Sequence, residues 1–91
     1  NAWHHIVEQT KNAGNFPAAA IHNPANIIAL PHGAGSIHNQ ISGFYSSKQR
    51  FTKGNTVREW LSEKSYKEQF EFGIQKIKDF GGSEYLPPHL R

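Results

Sequence analysis

Trp3-His4-His5-Ile6-Val7-Glu8, followed by Asn26-Ile27-Ile28-Ala29-Leu30, decides the fold of this chain. Aromatic and β-branched residues crowd the first stretch and predict a short strand over 3–8; the second, closed by Pro31, predicts another over 26–30. The 17 residues between them (9–25) are rich in Asn, Gly, Ala and Pro and read as a loop, of a length often tied to function. The two strands can pair as a wide hairpin.

Working outward, Gly33-Ala34-Gly35 breaks the chain and Ser36 can cap a helix. Ile37, Ile41, Phe44 and Tyr45 recur at helical spacing and predict its core face, while His38, Ser42 and Tyr45 form a neighbouring stripe. The helix should fray near Ser46-Ser47. Thr56-x-x-Glu59 and Ser65-x-x-Glu68 are capping-box patterns that open a short helix with Val57, Trp60 and Leu61 and a longer one with Tyr66, Phe70, Ile74 and Ile77. Gly73 weakens the longer helix by about 1 kcal/mol relative to Ala, and Gly81-Gly82 stops it. The tail from Leu86 to Arg91 is expected to be loose. The order strand, strand, helix, further helices defines an α+β chain with a single domain over 1–91, its core about 3–50 and a helical extension about 56–82.

Composition narrows the chemistry. Without cysteine there are no disulfides, thiolate zinc sites or cysteine nucleophiles. No apolar run approaches the roughly 20 residues needed to span a bilayer. The N-terminus lacks the basic and apolar regions of a signal peptide. Because the chain opens on Asn1 with Trp3-His4-His5 at once, it is expected to be cut from a longer polypeptide whose delivery signals lie upstream. The net charge of +3 fits a nucleic-acid partner without demanding one. Its distribution says more: residues 1–45 hold only Glu8 and Lys11 as full charges but five of the six histidines, and residues 46–58 hold Lys48, Arg50, Lys53 and Arg58 with no acid.

Adjacent residues of a strand point to opposite faces. His4 and His5 therefore enter one site only if the strand twists or ends there, or they do different jobs. One imidazole can bind a divalent metal while its neighbour takes a proton from water, since histidine titrates near neutrality and its nitrogens are good ligands. Phosphodiester hydrolysis uses both parts. A histidine pair alone is weak grounds; His38, early in the helix after the second strand, strengthens it, because a helix packed on the hairpin would bring His38 to the first strand.

These residues carry a resemblance. His4-His5-Ile6-Val7-Glu8, Ile21-His22-Asn23, Asn26-Ile27-Ile28-Ala29-Leu30-Pro31 and His38-x-x-Ile41-Ser42-x-x-Tyr45 are similar to nuclease domains of the HNH/endonuclease VII superfamily. More narrowly, they resemble its paired-histidine branches, which form the C-terminal toxic tips of Rhs-type and contact-dependent bacterial toxins. The likeness covers about residues 3–50 and is weaker from Gln49 onward. It implies a ββα-metal fold, a hairpin crossed by one helix around a single divalent ion. It implies His4 and His38 as metal ligands, His5 as the base that activates water, and Asn26 as the residue that braces the loop and orients the base. It further implies a toxin that is secreted or delivered and acts in the target-cell cytoplasm, a cognate immunity protein as partner, and a monomeric domain. Two departures stand out. The cysteine zinc knuckles of many relatives are missing, so packing against Trp60 and the C-terminal helices must hold the hairpin. The further helix ligand of many relatives is here Ser42, a poor donor. Two protein ligands favour Mg2+ or Mn2+, and two imidazoles pull toward Zn2+ or Ni2+.

Around this set, Lys48, Arg50 and Lys53, with Phe51 between them, form a candidate phosphate-tracking strip, against the alternative of a solvated loop. Phosphate contacts carry no sequence information, so little sequence specificity is expected. His22 and Asn23 either contact substrate or fix the loop, with a structural hydrogen bond the simpler role for Asn23. His32 is read as a solvated loop residue, with phosphate contact as the alternative. Glu8 either orients a histidine or is a surface charge. The leading expectation is a metal-dependent endonuclease acting on DNA. The alternatives are a ribonuclease toxin on the same fold, with or without metal, and a non-catalytic nucleic-acid-binding module stapled by a histidine-bound metal.

Overall fold

Strand β1 (Ala2–His5) pairs antiparallel with β2 (Ile27–Leu30), placing Ala2 opposite Leu30 and His5 opposite Ile27. The structure, a computed structural model, describes residues 1–12 and 14–91. Strand β1 stops at His5, short of the expected end at Glu8. The cause is Ile6-Val7: both side chains are 1% exposed, and consecutive residues of a regular strand cannot both face one core. The chain therefore leaves the pleat. Ile6 N–H still donates to the Asn26 carbonyl (2.8 Å), but Val7 N–H donates to the Asn26 side chain, Oδ1, at 2.8 Å. Asn26 closes a 3-10 turn (Pro24–Asn26) rather than opening β2, so the second strand starts one residue later than expected.

Part of the expected loop over 9–25 is helical. Helix α1 (Ala18–Ile21) follows Pro17, whose ring fixes φ at −57°, and uses three alanines, the strongest helix formers. Ile21, 4% exposed, anchors it in the interior. Ala13, in the same stretch, lies outside the described residues.

Helix α2 (Ile37–Tyr45) begins where Ser36 Oγ accepts from Asn39 N–H at 3.2 Å. Helices α3 (Val57–Leu61) and α4 (Tyr66–Asp79) both start in reciprocal capping boxes, Thr56 with Glu59 and Ser65 with Glu68. Gly81, at φ +82°, ends α4 in a conformation other residues adopt only with strain. The core joins Ile6, Ile28 and Leu30 of the hairpin region to Ile41 and Tyr45 of α2, Val57 and Leu61 of α3, and Ile74 and Ile77 of α4. The expected support for the hairpin thus comes from the C-terminal helices, whereas Trp60 contributes only from the margin, edge-on to Phe51. The tail is not loose: Leu86 is 1% exposed within the core, and the Arg91 guanidinium donates to the carbonyls of Leu86 and Glu84.

Two further long-range contacts, one polar and one steric, tighten the packing. Buried Asn12 and Gln69 exchange amide hydrogen bonds at 2.9 and 3.2 Å, tying the loop after β1 to α4. Gly73 lets α4 press directly on the end of β1: a Cβ there would lie 2.7 Å from the Ile6 carbonyl oxygen. Together these elements make a small α+β fold that holds the hairpin's two faces in different environments.

Candidate functional site: two imidazole pairs across one strand

The alternation of β1 sends His4 inward and His5 outward, and each meets another imidazole. His4, 5% exposed, sets Nδ1 3.2 Å from Nδ1 of His38, in the first turn of α2, with the rings edge-on at 86°. His5, half-buried, sets Nε2 3.2 Å from Nδ1 of His22 at the end of α1, with the rings at 79°. The first pair lies in a cleft that also takes in Ser42 and the stretch Glu8-Gln9-Thr10. The second lies in an open, mostly apolar groove between Pro24 and Ile27. Trp3, 74% exposed, and His5 border both. Two residues of β1 therefore join the two hollows.

Burial lowers the His4 pKa from 6.5 to about 4, with the nearby His38 and His5 imidazoles acting in the same direction. His4 is accordingly neutral at pH 7 and keeps a lone pair for ligation or hydrogen bonding. The His5 pKa is also lowered, first by burial and then by His22.

Asn26 hydrogen-bonds through its side chain to backbone just beyond β1 and at the end of α1, and to none of the four imidazoles. It is 0% exposed, and its side chain accepts from Val7 N–H (2.8 Å) and donates to the carbonyls of Val7 (3.0 Å) and Ile21 (2.9 Å). It thus clamps the backbone two residues after His5 to the backbone one residue before His22. The Asn26 amide reaches His5 only through the backbone, not side chain to side chain.

Glu8 is taken up elsewhere. Its carboxylate accepts two hydrogen bonds from the Arg58 guanidinium, at 2.6 and 3.1 Å, and Arg58 also reaches Ser46 Oγ at 2.8 Å. Asn23 Oδ1 accepts from Ala25 N–H at 2.9 Å and so caps the 3-10 turn. His32 is an exposed loop residue. Lys48, Arg50 and Lys53 are exposed on the segment between α2 and α3, and none borders either histidine hollow. The fourth member of the basic belt, Arg58, is the one tied to the site's edge. Sequence reasoning missed its pairing with Glu8 because the partners are 50 residues apart.

The donor set of the inner pair can be weighed against a metal. Two nitrogens 3.2 Å apart match neighbouring donors of one coordination shell, whose bonds run about 2.1 Å. His4 is held neutral, as a ligand must be. Among the described residues no group of three or more His, Cys, Asp or Glu side chains converges, so any ion there would have two imidazoles and otherwise solvent or substrate oxygens. Two imidazoles fit such an ion, and Ser42 adds only a hydroxyl beside them. No family model, curated protein or solved structure matches the chain.

Proposed function

We propose that this chain is a divalent-metal-dependent endonuclease of the ββα-metal kind, hydrolysing phosphodiester bonds in DNA with little sequence specificity. The observation that carries the reading is the division of His4-His5 between two imidazole pairs, one inward with His38 and one outward with His22. That division supports two separate jobs for adjacent histidines, as hydrolysis of a phosphodiester requires. The helix that follows β2 supplies His38, which supports the hairpin-and-helix arrangement.

In this reading His4 and His38 hold the ion, Mg2+ or Mn2+ ahead of Zn2+ or Ni2+. When bound, a divalent cation supplies positive charge against the developing phosphorane and the leaving oxygen. His5 takes the proton from the attacking water; it is half-buried, neutral near pH 7 and borders the same cleft as His4. Asn26 keeps the β1 exit in place so that His5 does not drift. Lys48, Arg50 and Lys53 track the phosphodiester backbone away from the reacting bond, where their charge raises affinity without reading bases. Use as a toxin in interbacterial competition, delivery as part of a larger polypeptide and a neutralising immunity partner follow from the sequence resemblance alone.

The test is nicking of supercoiled plasmid with Mg2+ or Mn2+, beside total RNA and tRNA with and without EDTA. DNA nicking that EDTA stops and His5→Ala abolishes is the expected result. Cleavage of RNA in EDTA would move the activity to the metal-independent ribonuclease. Failure to cut either nucleic acid with any common divalent ion defeats the proposal.

A further inference from the structure

We infer that His22 is a positioning residue for His5, accepting a hydrogen bond from His5 Nε2–H at its own Nδ1, and that Asn26 assembles this pair. The kinetic consequence rests on the nuclease reading above; the hydrogen bond itself does not.

The two facing nitrogens are 3.2 Å apart, so one carries the proton and the other the lone pair. The direction follows from tautomer chemistry. A neutral histidine side chain in water favours the Nε2–H form. If His5 donates, both rings keep that form. If His22 donates, both rings must adopt the Nδ1–H form. Donation by His5 also leaves its Nδ1 with the lone pair a base needs, because the partner of one ring nitrogen sets the state of the other. His22 therefore does for His5 what a backbone carbonyl or carboxylate does elsewhere: it fixes the ring's orientation and its tautomer.

The clamp explains why two residues 17 positions apart meet. His22 follows Ile21, whose carbonyl is held by Asn26 Nδ2, and His5 precedes Ile6-Val7, both of which bond to Asn26. The same buried amide thus sets both ends of the pair. Because His22 is itself exposed, changing it leaves the core intact.

His22→Asn and His22→Leu separate the acceptor from the ring. Asn carries Oδ1 at the branch position of the imidazole Nδ1 and can accept from His5; Leu cannot. In metal-free buffer, imidazole nitrogen NMR should show His5 as Nε2–H in the wild type and in His22→Asn, and as a tautomer mixture in His22→Leu. On DNA with metal, His22→Leu should lose roughly 10–100-fold in kcat, the usual cost of removing an orienting partner, with KM unchanged. His22→Asn should stay close to wild type. A wild-type His5 found as Nδ1–H, or a His22→Asn enzyme as slow as His22→Leu, overturns the inference. If no variant cuts nucleic acid, the nuclease reading falls and the tautomer spectra alone decide this one.

Discussion

Replacing Gly73 with Ala should destabilise the protein, against the usual rule for a helix interior. Gly73 sits within α4, where Ala would ordinarily gain about 1 kcal/mol. Here its new methyl would lie 2.7 Å from the Ile6 carbonyl oxygen and 2.9 Å from Ile6 Cγ2. The oxygen belongs to the backbone and cannot rotate away. Helix α4 must therefore retreat by a few tenths of an ångström, loosening Ile74 and Ile77 against a tightly packed interior. Overpacking of this kind costs about 1–3 kcal/mol, so the net change is a loss of up to about 2 kcal/mol. For a domain of this size that lowers Tm by up to roughly 10 °C. Gly43 is the internal control: it lies within α2, is exposed, and a Cβ there meets nothing within 4 Å. Gly43→Ala should raise stability by up to about 1 kcal/mol. Thermal and urea melts of the two variants give the answer. A Gly73→Ala protein as stable as Gly43→Ala would refute close packing of α4 on the end of β1. Since Ile6 follows His5, Gly73→Ala should also lower any nuclease activity more than its stability loss explains.

Three further outcomes follow. Asn26→Ala strips partners from Val7 N–H and from the Val7 and Ile21 carbonyls and should cost about 2–4 kcal/mol, at about 1 kcal/mol or more per buried group; a urea midpoint within error of wild type contradicts the clamp. Asn12→Ala leaves the buried Gln69 Oε1 without its donor, while Gln69 Nε2 keeps the Lys64 carbonyl, and should cost about 1–3 kcal/mol, while Asn12→Ala with Gln69→Leu should cost less than the sum of the singles; additive losses would show that the pair is not coupled. In metal-free buffer, stability should fall as pH drops from 6.5 toward 4: the unfolded chain protonates His4 near 6.5, the folded chain only near 4, so across that window the unfolded state holds more protons and is favoured. The loss is on the order of 3 kcal/mol, complete below pH 4 and absent above 6.5; a urea midpoint that stays flat from pH 7 to 4.5 refutes the burial of a neutral His4.

What the sequence made legible was local. Ser36, Thr56 and Ser65 announce their helices because a cap is a bond between a side chain and a backbone three residues on. The split of His4 from His5 follows from the period of a strand. What was hidden depends on partners far along the chain: Arg58 on Glu8, Gln69 on Asn12, α4 on Ile6. Strand β1 ended early because two buried residues stand side by side, which the β-branched pattern of Ile6-Val7 disguises as continued strand. Helix α1 went unread because four residues show no amphipathic period, and Pro17 offers no capping side chain. Leu86 looked like tail because prolines follow it, yet those prolines set the turns that press it into the core.

A chain of this size with no cysteine must hold its site by other means. The hairpin has only four residues per strand, too little to stand alone. Buried amides supply the ties that a metal knuckle or disulfide would otherwise provide. Asn26 joins the exit of β1 to the end of α1, and Asn12 with Gln69 joins the following loop to α4. Each amide has definite donors and acceptors, so it fixes register where apolar packing would allow sliding. The consequence falls on the histidines. Two imidazole contacts of 3.2 Å between side chains from different elements persist only if those elements cannot slip. On this argument the amides and the histidines form one unit: an amide lost should first loosen the His5–His22 contact, which is exposed, and only later the His4–His38 contact, which is partly buried. Imidazole NMR of Asn26→Ala, recorded where the variant is still folded, should show His5 and His22 perturbed and His4 and His38 little changed; the reverse order would place the control of the outer pair somewhere other than Asn26.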